Sequence, residues 1–105
     1  MGRAQGVQAE CARVEPSVHM NPVLLKPAAD DSSQVVVQGK SIGTMRACEY
    51  YSLREKIWPA IEESYEWLSR EFEVLVIEGA GSPAEINLKS FDMVNFRVAE
   101  LSDAR

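Results

Sequence analysis

The sequence predicts an α/β fold, a parallel sheet with flanking helices. Three observations carry that expectation. Apolar residues recur at helical spacing from about Thr44 to Phe72. A continuous apolar run, Val74-Leu75-Val76-Ile77, follows at once and ends in Glu78-Gly79-Ala80-Gly81. Shorter helical and β-branched stretches lie on either side, and helix, strand, long helix, buried strand, loop, helix is an α/β order. At 105 residues the chain is one small domain.

Residues 3–14 read as the first helix. Ala4, Val7, Cys11 and Val14 recur at helical spacing, and Glu15-Pro16 stops the run. Gly6 weakens it by about 1 kcal/mol relative to alanine. Met1-Gly2 leads into it without a capping side chain, as expected of a chain cut from within a larger domain. Pro16, Pro22, Pro27 and Asp30-Asp31-Ser32-Ser33 punctuate the next stretch. Between them Val23-Leu24-Leu25-Lys26 fits a short strand. Gln34 to Gln38 is a second strand, β-branched at three consecutive positions. Gly39 and Gly43 bracket an expected loop.

The long helix carries Leu53, Ile57, Ile61, Tyr65, Leu68 and Phe72 as one apolar stripe. Pro59 falls inside it. Proline removes a hydrogen bond and crowds the preceding turn, so a kink or two helices meeting near Trp58 are expected. Trp58 and Trp67 are expected to cover the core. Val74 to Ile77 has the pattern of a strand buried on both faces, at the centre of a parallel sheet. Residues 79–90 read as a loop. Residues 91–101 read as a last helix, with Val94, Val98 and Leu101 on one face.

Sixteen acids stand against eleven bases, a net charge of −5; 46% of residues are hydrophobic and 26% charged. This is ordinary globular composition. The acidic balance argues against nucleic acid as a partner through bulk charge. The apolar runs are far shorter than the roughly 20 residues of a membrane-crossing helix. No secretory leader opens the chain, so no membrane partner and a cytoplasmic location are expected. Residues 48–78 hold eight acids and three bases, the whole of the net charge. Most of those acids read as the wet face of the long helix. Cys11 and Cys48 are far apart in sequence and His19 is the single histidine, which excludes a structural zinc site and suits two incidental reduced thiols.

The motif that carries chemistry is Val74 to Gly81. In open α/β sheets, ligands sit beyond the carboxyl ends of the strands. Glu78 would stand there, placed to hold Mg²⁺, a hard cation that prefers oxygen ligands. The glycines would let backbone approach a phosphate closely. A strand ending in a turn with an incidental glutamate reads the same residues equally well. Gln38-Gly39-Lys40-Ser41 resembles the tail of a P-loop, but position 34 is Gln34 where the motif requires glycine. Without it there is no nest of backbone N–H groups for phosphate. His19 lies between Ser17 and Asn21 without the G-x-S-x-G context of a serine nucleophile. Cys11 reads as a small buried hydrophobe.

The strings Gly2-Arg3-Ala4-Gln5, Gln8-Ala9, Val14 to Val18, Met20 to Pro27 and Glu49-Tyr50-Tyr51 resemble cobyric acid synthase. So, most specifically, does Val76-Ile77-Glu78-Gly79-Ala80-Gly81-Ser82-Pro83-Ala84-Glu85-Ile86-Asn87-Leu88. The resemblance runs over nearly the whole chain. It implies a glutamine-dependent amidotransferase of cobalamin biosynthesis that uses ATP and Mg²⁺. Such an enzyme amidates carboxylates b, d, e and g of adenosylcobyrinic acid a,c-diamide. A substrate carboxylate would be phosphorylated, and ammonia from glutamine would displace the phosphate. The fold implied is a fragment of a P-loop-type parallel sheet, similar to dethiobiotin synthetase. Residues 1–105 would then be a partial synthetase domain lacking both its P-loop and the glutaminase domain.

Carried onto this sequence, the resemblance makes Glu78 the Mg²⁺ ligand. Gly79, Ala80 and Gly81 would border the phosphate and the substrate carboxylate, with Asn87, Asn21 and Lys26 on the corrinoid side. His19 stands where the family commonly has Asp, and Asn95-Phe96-Arg97 only partly matches the usual Asn-Met-Gly. The fragment alone is expected to be inactive, and a homo-oligomer or swapped assembly would restore its missing packing. The other readings are a non-catalytic binding or assembly protein derived from such a domain, and another dethiobiotin-synthetase-like ATPase.

Overall fold

Two short connections build the sheet. In a computed structural model of the chain, which describes residues 2–29, 32–79 and 95–104, β1 (Val23–Pro27), β2 (Ser32–Val37) and β3 (Lys40–Arg46) follow one another. They pair in that order and antiparallel throughout. The central strand takes the Val35-Val36-Val37 run, whose branched side chains suit a pleated, half-buried surface. Val35 is fully enclosed and Val36 nearly so. Gln38 and Gly39, at φ 48° and 83°, make the β2–β3 turn. Positive φ at both positions matches the twist of the flanking strands. A Cβ on Gly39 would lie 2.9 Å from Val18 Cγ1, so the turn also needs glycine for space. Val35 pairs with Gly43 and Val36 with Ser41, which leaves Ile42 as an extra residue in a bulge.

The helices are α1 (Arg3–Cys11), α2 (Ala47–Glu71) and α3 (Phe96–Ser102), with a 3₁₀ turn at Val18–Met20. The apolar stripe of α2 meets β2, β3 and the 3₁₀ turn. Trp58 and Ile61 centre the core, with Val23, Tyr50, Val98 and Leu101 packed around them. Ile57 and Ala9 are also buried.

Several expectations need correction. The sheet is an antiparallel meander rather than part of a P-loop-type parallel sheet. Neighbouring strands joined by tight turns pair antiparallel, whereas parallel pairing needs a long crossover. The expected loop between Gly39 and Gly43 is a turn followed by β3. Val74 to Ile77 forms no strand: Val74 is 79% exposed and Val76 94%. β2 already has a neighbour on each side, so the centre of the sheet is taken. Pro59 does not divide α2, which runs through it as one helix. Residues 55 and 59 are both exposed, so the carbonyl that loses its helical donor sits on the solvent side, where the loss costs least. α1 seats on Ala9 rather than on the Ala4–Val7–Cys11 stripe, and Cys11, near the helix end, is exposed. The last helix occupies Phe96–Ser102, and residues 91–94 of its expected span lie outside the described residues. Among the described residues no helix is long and apolar enough to cross a membrane.

Candidate functional site

Beyond α2 the chain runs without regular structure from Phe72 to Gly79. Glu78 is exposed there, and its Oε2 accepts a hydrogen bond of 2.8 Å from Nε2 of Gln8 on α1. Gly79 is exposed beside it. Ala80, Gly81 and Asn87 lie outside the described residues. Asn21 follows the 3₁₀ turn, and both ends of its amide are engaged. Its Oδ1 accepts from the Gly2 N–H at 3.1 Å, and its Nδ2 donates to the Val23 carbonyl at 3.4 Å. Lys26 is exposed on β1.

The structure thus ties Glu78 and Asn21 to different points of one element. Gln8 holds Glu78, and the backbone that opens α1 holds Asn21. Six helical steps separate Gly2 from Gln8, about 9 Å at 1.5 Å per residue. Lys26 shares no hydrogen bond or ion pair with either among the described residues.

Among the described residues no group of three or more histidines, cysteines or carboxylates could hold a metal. Glu78 therefore belongs to no such group. An open hollow of about 570 Å³ lies between the end of α2, residues 72–77 and the end of α3, lined by Tyr65, Phe72, Leu75 and Ile77. Glu78 and Gly79 do not line it.

Sequence reasoning missed a second polar assembly. Ser64 on α2 is 1% exposed. Its Oγ accepts from Gln38 Nε2 at 3.0 Å and lies 3.0 Å from His19 Nδ1. Gln38 Nε2 also donates to the Ala60 carbonyl at 3.2 Å. The His19 ring stacks on Trp67, centroids 4.6 Å apart. With Gln38 donating into Ser64, the hydroxyl proton can serve Nδ1 of a His19 that carries its own proton on Nε2. The hydroxyl is enclosed, so this pair closes the fold instead of presenting a nucleophile. The signal was available: Ser64 and Trp67 stand three and six positions after Ile61, on the buried side of the stripe.

The charges sort similarly. Arg97 on α3 holds both carboxylate oxygens of Glu55 on α2, at 2.8 and 3.1 Å. Those hydrogen bonds, then the Arg97 and Arg54 charges, keep the Glu55 carboxyl below its usual range; in turn Glu55 raises Arg97. This pair joins α2 and α3.

No family model matches the chain, and no solved structure matches it. Curated relatives do. The chain is 56% identical over 105 residues to the cobyric acid synthase of Moorella thermoacetica. It is 54% identical over 104 residues to that of Lachnoclostridium phytofermentans, and 55% over 105 residues to that of Desulfitobacterium hafniense. Each alignment takes in 99% of this chain and 20% of the relative. Identity at this level, sustained from end to end, is homology: the chain is homologous to a segment of the cobyric acid synthases that spans about one-fifth of their length.

Proposed function

We propose that this chain serves as part of an ATP-dependent synthetase of cobalamin biosynthesis, one that amidates carboxylates of a corrinoid with ammonia drawn from glutamine. The observation that carries the reading is the 52–56% identity to proteins named cobyric acid synthase, held over 99% of the chain. The Glu78-Gly79-Ala80-Gly81 motif supplies the chemistry. Glu78 would hold Mg²⁺ through one carboxylate oxygen, and Gly79, Ala80 and Gly81 would leave room for a phosphate beside it. Mg²⁺ with ATP offsets charge on a transferring phosphoryl group. A phosphorylated substrate carboxylate would then lose phosphate to ammonia. Asn87 and Lys26 would face the corrinoid. Asn21 would reach it only by giving up Gly2 or Val23, so holding the start of α1 against β1 is its first task. The sequence carries no P-loop of its own, so phosphate binding by this segment alone is not part of the proposal.

The test is a segment exchange. These 105 residues replace the homologous segment of the Moorella thermoacetica enzyme, and corrinoid amidation and glutamine hydrolysis are both measured. Retained amidation supports the reading. A folded exchange protein that hydrolyses glutamine yet amidates nothing overturns it. Glu78→Gln in the same protein should depress amidation strongly, raise the Mg²⁺ requirement and spare glutamine hydrolysis.

A further inference from the structure

Four consecutive apolar residues, Val74 to Ile77, lie outside every helix and strand of the described fold. Exposure alternates along them. Val74 is 79% exposed, Leu75 half-buried, Val76 94% exposed and Ile77 43% exposed. That is the period of an extended chain, with Leu75 and Ile77 turned toward the molecule and Val74 and Val76 away from it. The peptide groups are open as well. The Phe72 N–H donates to the Leu68 carbonyl, and beyond it no backbone hydrogen bond reaches residues 73–79 among the described residues. An extended apolar segment rich in branched side chains, with its N–H and C=O groups unused, is one half of a strand pair.

A second copy of the chain is a poor other half. In the antiparallel register that lays the four apolar residues on themselves, Val74 faces Ile77 and Leu75 faces Val76. Glu73 then faces Glu78 at both ends, and like charges directly opposite are destabilising. A parallel pair in register sets each glutamate against its own copy. The net charge of −5 adds repulsion between copies. The fitting partner is a different strand, apolar over four positions, with neutral or basic flanks. The relatives have room to supply it: this chain covers 20% of their length, which leaves about four-fifths of each outside it.

We infer that residues 74–77 are a docking strand, which pairs with an apolar strand from the part of a synthase outside these 105 residues. The inference rests on the function proposed above. In the synthase Val74 and Val76 are covered, and the peptide groups between Glu73 and Glu78 are paired.

Hydrogen–deuterium exchange read by mass spectrometry tests the pairing directly. In the 105-residue chain the amides of residues 74–77 should exchange as an open segment does. In the exchange synthase they should slow by about a hundredfold or more, as in a paired strand. The corresponding four positions of the unmodified Moorella thermoacetica enzyme should be equally slow, a measurement that holds whether or not the exchange protein folds. Val76→Ser should leave the melting temperature of the 105-residue chain unchanged and lower that of the exchange synthase. Fast exchange at these positions in the synthases overturns the inference. Slow exchange in the isolated chain also overturns it: if independent of concentration, the chain covers the segment itself, and if it slows further with concentration, a second copy does. Amidation is measured on the same exchange protein. Retained amidation with fast exchange at 74–77 overturns the docking strand and leaves the proposed function standing. Slow exchange without amidation supports the docking strand and overturns the function.

Discussion

The guanidinium of Arg97 lies over the indole ring of Trp58, 4.0 Å from the ring centroid. Trp58 is 8% exposed and belongs to the core, so this contact fastens α3 onto the buried side of α2. Arg97 reaches Glu55 at the same time, one turn earlier on α2. One planar side chain thus joins a ring face and a carboxylate, which a lysine would not reproduce.

Arg97→Ala should loosen α3. Loss of the ring contact alone costs about 1 kcal/mol. Urea unfolding followed by Trp fluorescence checks the loss. Arg97→Lys should recover only part of it; full recovery would show that charge alone suffices.

Acid should weaken the same junction. The folded-state pKa of Glu55 is lowered by hydrogen bonds from Arg97 and then by the Arg97 and Arg54 charges. A lowered folded-state value means stability present above the unfolded value and lost as pH falls through the folded one. The urea midpoint of the parent chain should therefore fall between neutral and strongly acidic pH more steeply than that of Glu55→Gln. Parallel profiles would exclude Glu55 as a contributor.

Ser64→Ala removes the hydroxyl shared by His19 and Gln38. Gln38 keeps the Ala60 carbonyl, while Nδ1 of half-buried His19 loses its partner. The expected cost is about 1–2 kcal/mol. A red shift of Trp67 emission should accompany it, because the stacked imidazole is released toward water. A neutral Ser64→Ala would assign the closure of this face to apolar packing instead.

Ile57→Ala and Val76→Ser should separate core from surface. Ile57 is 4% exposed and Val76 94%. Truncating the first should cost about 2–5 kcal/mol. Changing the second should move stability by no more than about 0.5 kcal/mol. A large effect at Val76 would restore the buried strand that its neighbours suggest.

That last contrast shows where the sequence was readable and where it was not. The stripe from Leu53 to Phe72 placed the body and the end of α2, because side-chain spacing and burial agree there, but the expected start at Thr44 lies in β3 and the helix begins at Ala47. Val23–Lys26 was found as a short apolar run between prolines and Gln34–Gln38 from three consecutive branched residues, although Gln38 falls in the turn after β2. β3 was missed because Gly39 and Gly43 suggested a loop. The turn needs Gly39 and the bulge uses Gly43, so the same glycines shape a hairpin. Val74 to Ile77 was misassigned because apolar content says what a segment could bury, while pairing depends on which edges other strands leave open. Of the candidate site, Glu78 and Gly79 were singled out by their motif, and their role is a proposal. Gln8 was not, since no local pattern announces a contact across 70 positions.

The bond from Gln38 to the Ala60 carbonyl has an evolutionary corollary. It links the hairpin turn to a single rotational setting of α2, with Ser64 and Trp67 brought round to meet Gln38 and His19. One inserted or deleted residue between Ala60 and Trp67 would rotate the rest of the helix by about 100°. Trp67 would leave His19 at once. The stretch from Ala60 to Trp67 is therefore one whose length descendants of this segment should keep.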